Sequence, residues 1–66
     1  MPRYRITFLS GDSETVDGDD TGVEGSGAVV VYRDVLVIGR PRRIVAKRYS
    51  AGDGVTSVEA VTPGDT

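Results

Sequence analysis

The chain has no cysteine and no histidine. Without cysteine there are no disulfides and no thiolate ligands. Without histidine the commonest transition-metal ligand and the commonest general base are both missing. Asparagine, glutamine and tryptophan are absent too, lysine occurs once, and aromatic residues make up only 6% of the chain. No apolar run approaches the roughly 20 residues that cross a bilayer. The opening "MPRYRITFLS" has no long apolar stretch followed by a small-residue cleavage site. It also lacks the Gly at the second position that myristoylation requires. A soluble, cytoplasmic chain is the expectation, with no membrane partner.

At 66 residues the chain is one domain at most. Such a domain buries only roughly 60% of its unfolded surface, so the core is small and has no covalent staple. A β-core or self-association must supply the stability. The composition, rich in Val, Gly, Asp, Ala and Arg, suits a GC-rich genome; ten acids against eight bases is too even for a salt-adapted surface.

β-Branched residues dominate the apolar positions, and Gly or Asp interrupts the chain every few residues. Both features favour strands. "RYRITFL" alternates, with Tyr4, Ile6 and Phe8 on one face and Arg3, Arg5 and Thr7 on the other. A turn at Ser10–Asp12 leads to a short strand centred on Val16, and the turn-rich Gly18–Gly27 has room for a few strand residues around Val23. "AVVVYR" (28–33) reads as a central strand, and "DVLVIG" either extends it or forms another. Pro41 is expected to stop that element. Strands over Arg42–Tyr49 and Val55–Val61 follow, separated by the turn "SAGDG". No segment carries a helical apolar period. The expected fold is all-β: a small SH3-like barrel or strongly bent antiparallel sheet of five to six short strands. Residues 1–62 form the domain and 63–66 a flexible tail.

The segment "RPRRIVAKR" places five positive charges in nine residues of a chain whose net charge is −2. On a regular strand Arg42, Ile44, Ala46 and Arg48 share one face, and Arg43, Val45, Lys47 and Tyr49 the other. Charges divided between faces suit an edge strand protected from promiscuous pairing. A nucleic-acid surface from Arg40, Arg42, Arg43, Lys47 and Arg48 is the competing use, with a tyrosine as stacking platform. The negative net charge argues against it. Asp12–Glu24 holds six acids and no base. Those acids either pair internally with the basic strand or match it head-to-tail between copies.

Asp17, Asp19 and Thr21 before Gly22 resemble half of a calcium loop. Ala28 stands where a bidentate Glu is needed, however, and a solvated turn is the better reading. No phosphate loop or nucleophile elbow is present, and Lys47 has no evident activating pocket. The expectation is therefore no enzyme, no metal and no cofactor. Phe8 and Tyr32 are assigned to the core, with Tyr4 and Tyr49 left open between core and surface.

Taken together, "YRITFLSGDSETV", "GAVVVYRD" and "RIVAKRYSAGDGVTSVEAV" resemble the small β-rich proteins of actinobacterial phages and their hosts. Val55 departs from that pattern, in which an aromatic often follows the glycine turn. The resemblance implies a small SH3-like accessory protein aimed at a host factor and carries no functional residues with it.

The reading is a non-enzymatic interaction module that self-associates or binds another protein, with nucleic acid the second choice. Its expected contact residues are Val35, Leu36, Val37, Ile38, Arg40, Arg42, Arg43, Lys47, Arg48 and Tyr49. Val35–Ile38 is either a strand of the core or an exposed apolar edge.

Overall fold

A computed structural model describes residues 2–61. The expected tail, 63–66, lies outside them. Strands take up 68% of the described residues, and no α-helix occurs among these. The strands are β1 (Arg3–Phe8), β2 (Ser13–Asp17), β3 (Asp20–Val23), β4 (Val29–Val37), β5 (Arg40–Tyr49) and β6 (Val55–Val61). A 3-10 turn at Ala51–Asp53 joins β5 to β6.

The strands form two three-stranded antiparallel sheets, ordered β2-β1-β6 and β3-β4-β5, and the barrel does not close. β2 passes into β3 through Gly18 and Asp19. Asp19 N–H donates to the Tyr32 carbonyl at 2.7 Å, so the second ladder begins as the first ends. A Cβ on Gly18 would overlap the Val31 side chain and lie 3.1 Å from the Tyr32 carbonyl oxygen. Only glycine lets the chain cross between the sheets here.

The core follows from period-2 alternation. Tyr4, Ile6 and Phe8 face inward from β1, beside Val16 of β2 and Val58 and Val55 of β6. Opposite them β4 and β5 contribute Val31, Val29 and Tyr49. Ile6, Val31 and Tyr49 form the buried centre, with Phe8 and Tyr49 edge to face at 5.6 Å between centroids. The outer face of β1, with Arg3, Arg5 and Thr7, stays polar; Arg3 pairs with its cross-strand neighbour Asp17 at 2.9 Å.

The longest hairpin extends past this core. β4 runs unbroken from Val29 to Val37, so "DVLVIG" continues the central strand. Ile38 and Gly39, at φ 50° and 73°, make the two-residue turn into β5. Two successive positive φ values give the twist that matches an antiparallel hairpin. Pro41 does not stop the segment but lies inside β5. Among the described residues β5 has only one neighbouring strand, and a proline whose nitrogen faces the open side removes no ladder bond.

Candidate functional surface: the projecting hairpin

The faces of β5 differ from simple alternation because of one residue. Val31 opposes Lys47 and Tyr32 opposes Val45, which leaves Ala46 without a cross-strand partner. This bulge shifts the pleat by one position. Arg40, Arg42 and Ile44 therefore share a face with Lys47 and Tyr49, and Pro41, Arg43 and Val45 share one with Arg48. The grouping expected from strict alternation is corrected accordingly.

The second of these faces is electrostatically satisfied. Arg43 makes a two-pronged contact with Asp34, at 2.8 and 3.2 Å, and reaches across β4 to Asp20 at 2.9 Å. Its guanidinium lies over the Tyr32 ring, 5.6 Å from the centroid. Hydrogen bonding from Arg43 holds the Asp34 carboxyl below its ordinary pKa, and the same bonds raise that of Arg43. Arg48 pairs with Glu24 at 2.8 Å. Asp19 accepts a bond from the Asp34 N–H at 2.7 Å. The acidic segment and the basic strand thus meet within one molecule, the first of the two arrangements open to the sequence. Among the described residues no group of three or more acids is placed to hold a metal ion.

On the first face Arg40 and Arg42 make no ion pair with any described residue. Their cross-strand neighbours are Val37 and Val35. Lys47 lies 5.7 Å from the Tyr49 ring centroid. Aliphatic and cationic side chains are interleaved here, with Ile44 beside Arg42 along the strand.

Of the candidate contact residues, Leu36 is 76% and Ile38 97% exposed. Val37 is also exposed and Val35 is half-buried. Ile44 and Val45, which the sequence reading left out, are exposed as well. Period-2 reading had marked both as apolar, but only the length of the hairpin beyond the core shows that nothing covers them. Arg40, Arg42 and Lys47 are exposed and available, whereas Arg43 and Arg48 are taken up by acids of their own chain.

Tyr49 leaves the candidate surface, because it is 4% exposed and part of the core. Its hydroxyl makes no well-formed hydrogen bond to a described residue, with Glu14 the nearest acid to it. Burial, and secondly the Glu14 carboxylate on its side, push its pKa up to about 12. Tyr32 moves the other way: assigned to the core by its sequence context, it is half-buried beneath Arg43 on the outer side of the sheet.

An open cleft of about 310 Å³ lies at the base of the hairpin, lined by Phe8, Glu14, Lys47, Arg48, Tyr49 and Asp53. Charges of both signs border it, and Asp53 is engaged by the Ser50 N–H at 2.8 Å.

The chain matches no family model, no curated protein and no solved structure. No helix among the described residues is long and apolar enough to cross a membrane.

Proposed function

We propose that this protein is a non-enzymatic interaction module of SH3-like build that docks on another protein through the β4–β5 hairpin. The observation that carries this reading is Ile38. A β-branched residue at φ 50° is strained, and glycine, asparagine or aspartate is the usual occupant of that turn position. Strain of this kind persists where function requires it. Here it holds an aliphatic side chain almost wholly in water, at the tip of a hairpin with exposed Leu36, Val37, Ile44 and Val45. An apolar surface of this sort marks a contact site.

The SH3-like part is supported by the element order: two small sheets, a bent passage from β2 to β3, and a 3-10 turn before the last strand. The resemblance to small β-rich proteins of actinobacterial phages and their hosts is the ground for seeking the target in an actinobacterial cell. Nucleic acid is the second reading, favoured by the bulge that brings Arg40, Arg42 and Lys47 to one face. Against it, each candidate stacking platform is engaged: Tyr49 is buried, Tyr32 lies beneath Arg43, and Tyr4 packs against the core with its hydroxyl bonded to the Asp19 carbonyl.

The test is capture from an actinobacterial lysate on immobilised protein, with and without nuclease, comparing the wild type with an Ile38→Asn/Leu36→Ser variant. The proposal expects proteins that survive nuclease and are lost from the variant. Capture that is indifferent to the variant, or that vanishes with nuclease, overturns it.

A further inference from the structure

Within that reading, we infer that the free edge of β5 from Arg40 to Val45 accepts a β-strand of another protein, acidic beside Arg40 and Arg42 and aliphatic elsewhere. The inference rests on the hairpin being the docking surface and names how it binds and what it selects.

The edge is open. Among the described residues β5 pairs only with β4, every residue from Arg40 to Arg48 is exposed, and no backbone bond outside the ladder involves this segment. The turn sets which groups face outward. Val37 and Arg40 flank a two-residue turn and are therefore the hydrogen-bonded pair. Alternation then directs the backbone groups of Pro41, Arg43 and Val45 to the open side. Pro41 offers a carbonyl there; Arg43 and Val45 offer both a carbonyl and an N–H. The bulge at Ala46 ends the regular run, so the docking register covers six residues.

Side chains then set the selection, since an added strand places each residue beside its neighbour on the same face. On one face it meets Arg40, Arg42 and Ile44, two cations without acids followed by an aliphatic group. On the other it meets Pro41, Arg43 and Val45, of which Arg43 is already satisfied by Asp34 and Asp20. Carboxylates beside Arg40 and Arg42, with small or aliphatic residues elsewhere, fit this edge.

The β5 edge of a second copy does not fit it. Pairing β5 with β5 would set two strands of five cations side by side, and like charges across strands are destabilising. Of another copy's acids, Asp17, Asp20 and Glu24 are held by Arg3, Arg43 and Arg48. Glu14 and Glu59 lie on the edge strands β2 and β6 without an ion pair among the described residues. A concentration-dependent dimer of the chain that the acidic peptide competes away would therefore overturn the assignment to another protein.

The test uses the whole chain and a blocked fluorescent peptide, Val-Val-Thr-Glu-Val-Glu, written to run antiparallel to Arg40–Val45, with Lys in place of Glu as its control. Binding is followed by anisotropy and amide chemical shifts. The acidic peptide is expected to bind at least roughly tenfold more tightly than the control, with shifts centred on β5. An Arg40→Glu/Arg42→Glu variant should reverse that preference. A synthetic chain with an N-methylated Val45 amide should lose binding while its circular dichroism stays unchanged.

Equal binding of both peptides, no binding at millimolar peptide, shifts away from β5, or full binding by the N-methylated chain would each overturn the strand-addition claim. The broader reading is judged separately: lysate capture that depends on Ile38 and Leu36 keeps the hairpin as the docking surface even where the peptide fails.

Discussion

Arg43 spans all three strands of its sheet, bonding Asp34 on the neighbouring strand while reaching past the Tyr32 ring to Asp20 on the far one. Two acids and an aromatic ring thus hold one cation, in a sheet that has little core beneath its distal half. The contact ties the three strands together in a hairpin that buries few of its own side chains. It also brings the acidic and basic segments of the sequence together within one molecule.

Because Arg43 holds the Asp34 pKa below its ordinary value of 3.8, this contact stabilises the fold above that pH. As pH falls through the lowered folded-state value, the carboxylate is protonated and the contribution is lost. Urea denaturation at a series of acidic pH values should show this loss in the wild type. In Asp34→Asn the dependence should be weaker. Both groups are exposed, so added salt should diminish the difference.

Tyr49 sets the opposite limit. Its pKa rises from 10.0 to about 12 on folding, so its stabilisation is complete below pH 10 and declines between pH 10 and 12. Alkaline unfolding should therefore steepen in that interval for the wild type and be flatter for Tyr49→Phe. At neutral pH the phenylalanine variant should fold about as stably, since the buried hydroxyl makes no well-formed hydrogen bond, only a loose contact with Glu14.

Gly18 tests the passage between the sheets. A methyl group there has no room beside Val31 and the Tyr32 carbonyl. Gly18→Ala should lower stability by about 1–3 kcal/mol, the usual penalty of overpacking. In so small a domain that loss should be evident as a lower thermal midpoint.

Ile38 separates stability from function. Replacing it with Asn relieves the positive-φ strain and removes an exposed aliphatic group, so stability should rise by about 1 kcal/mol. For a domain of this size that corresponds to a midpoint about 4–8 °C higher. Partner capture should fall in the same variant. A variant more stable yet less active is the signature expected of a residue retained for contact.

Much of this architecture is legible in the sequence because alternation and turn residues agree with each other. Tyr4, Ile6 and Phe8 mark β1. The segments "SETVD" and "VTSVEAV" coincide with β2 and β6, and the valines from 29 to 31 mark the central strand. What the sequence hides is where the regular pattern slips. Ala46 carries no compositional sign of a bulge, yet it reassigns Arg40, Arg42 and Ile44 to the face of Lys47. Pro41 was expected to end a strand because whether a strand is central or at an edge depends on pairing, not on its own residues. Tyr32, assigned to the core, lies outside it, and Tyr49, left open between core and surface, lies within it, for a related reason. Alternation sorts side chains into two sets but does not say which set meets the other sheet and which meets an arginine.

The most direct test of the docking surface is site-specific photo-crosslinking in an actinobacterial lysate, with the photoreactive residue at Ile38 in one preparation and at Glu59, on the outer face of the other sheet, in a second. The account predicts discrete protein adducts from position 38 that resist nuclease and are absent from position 59. Equal labelling from both positions, or adducts at 38 that disappear with nuclease, would contradict it.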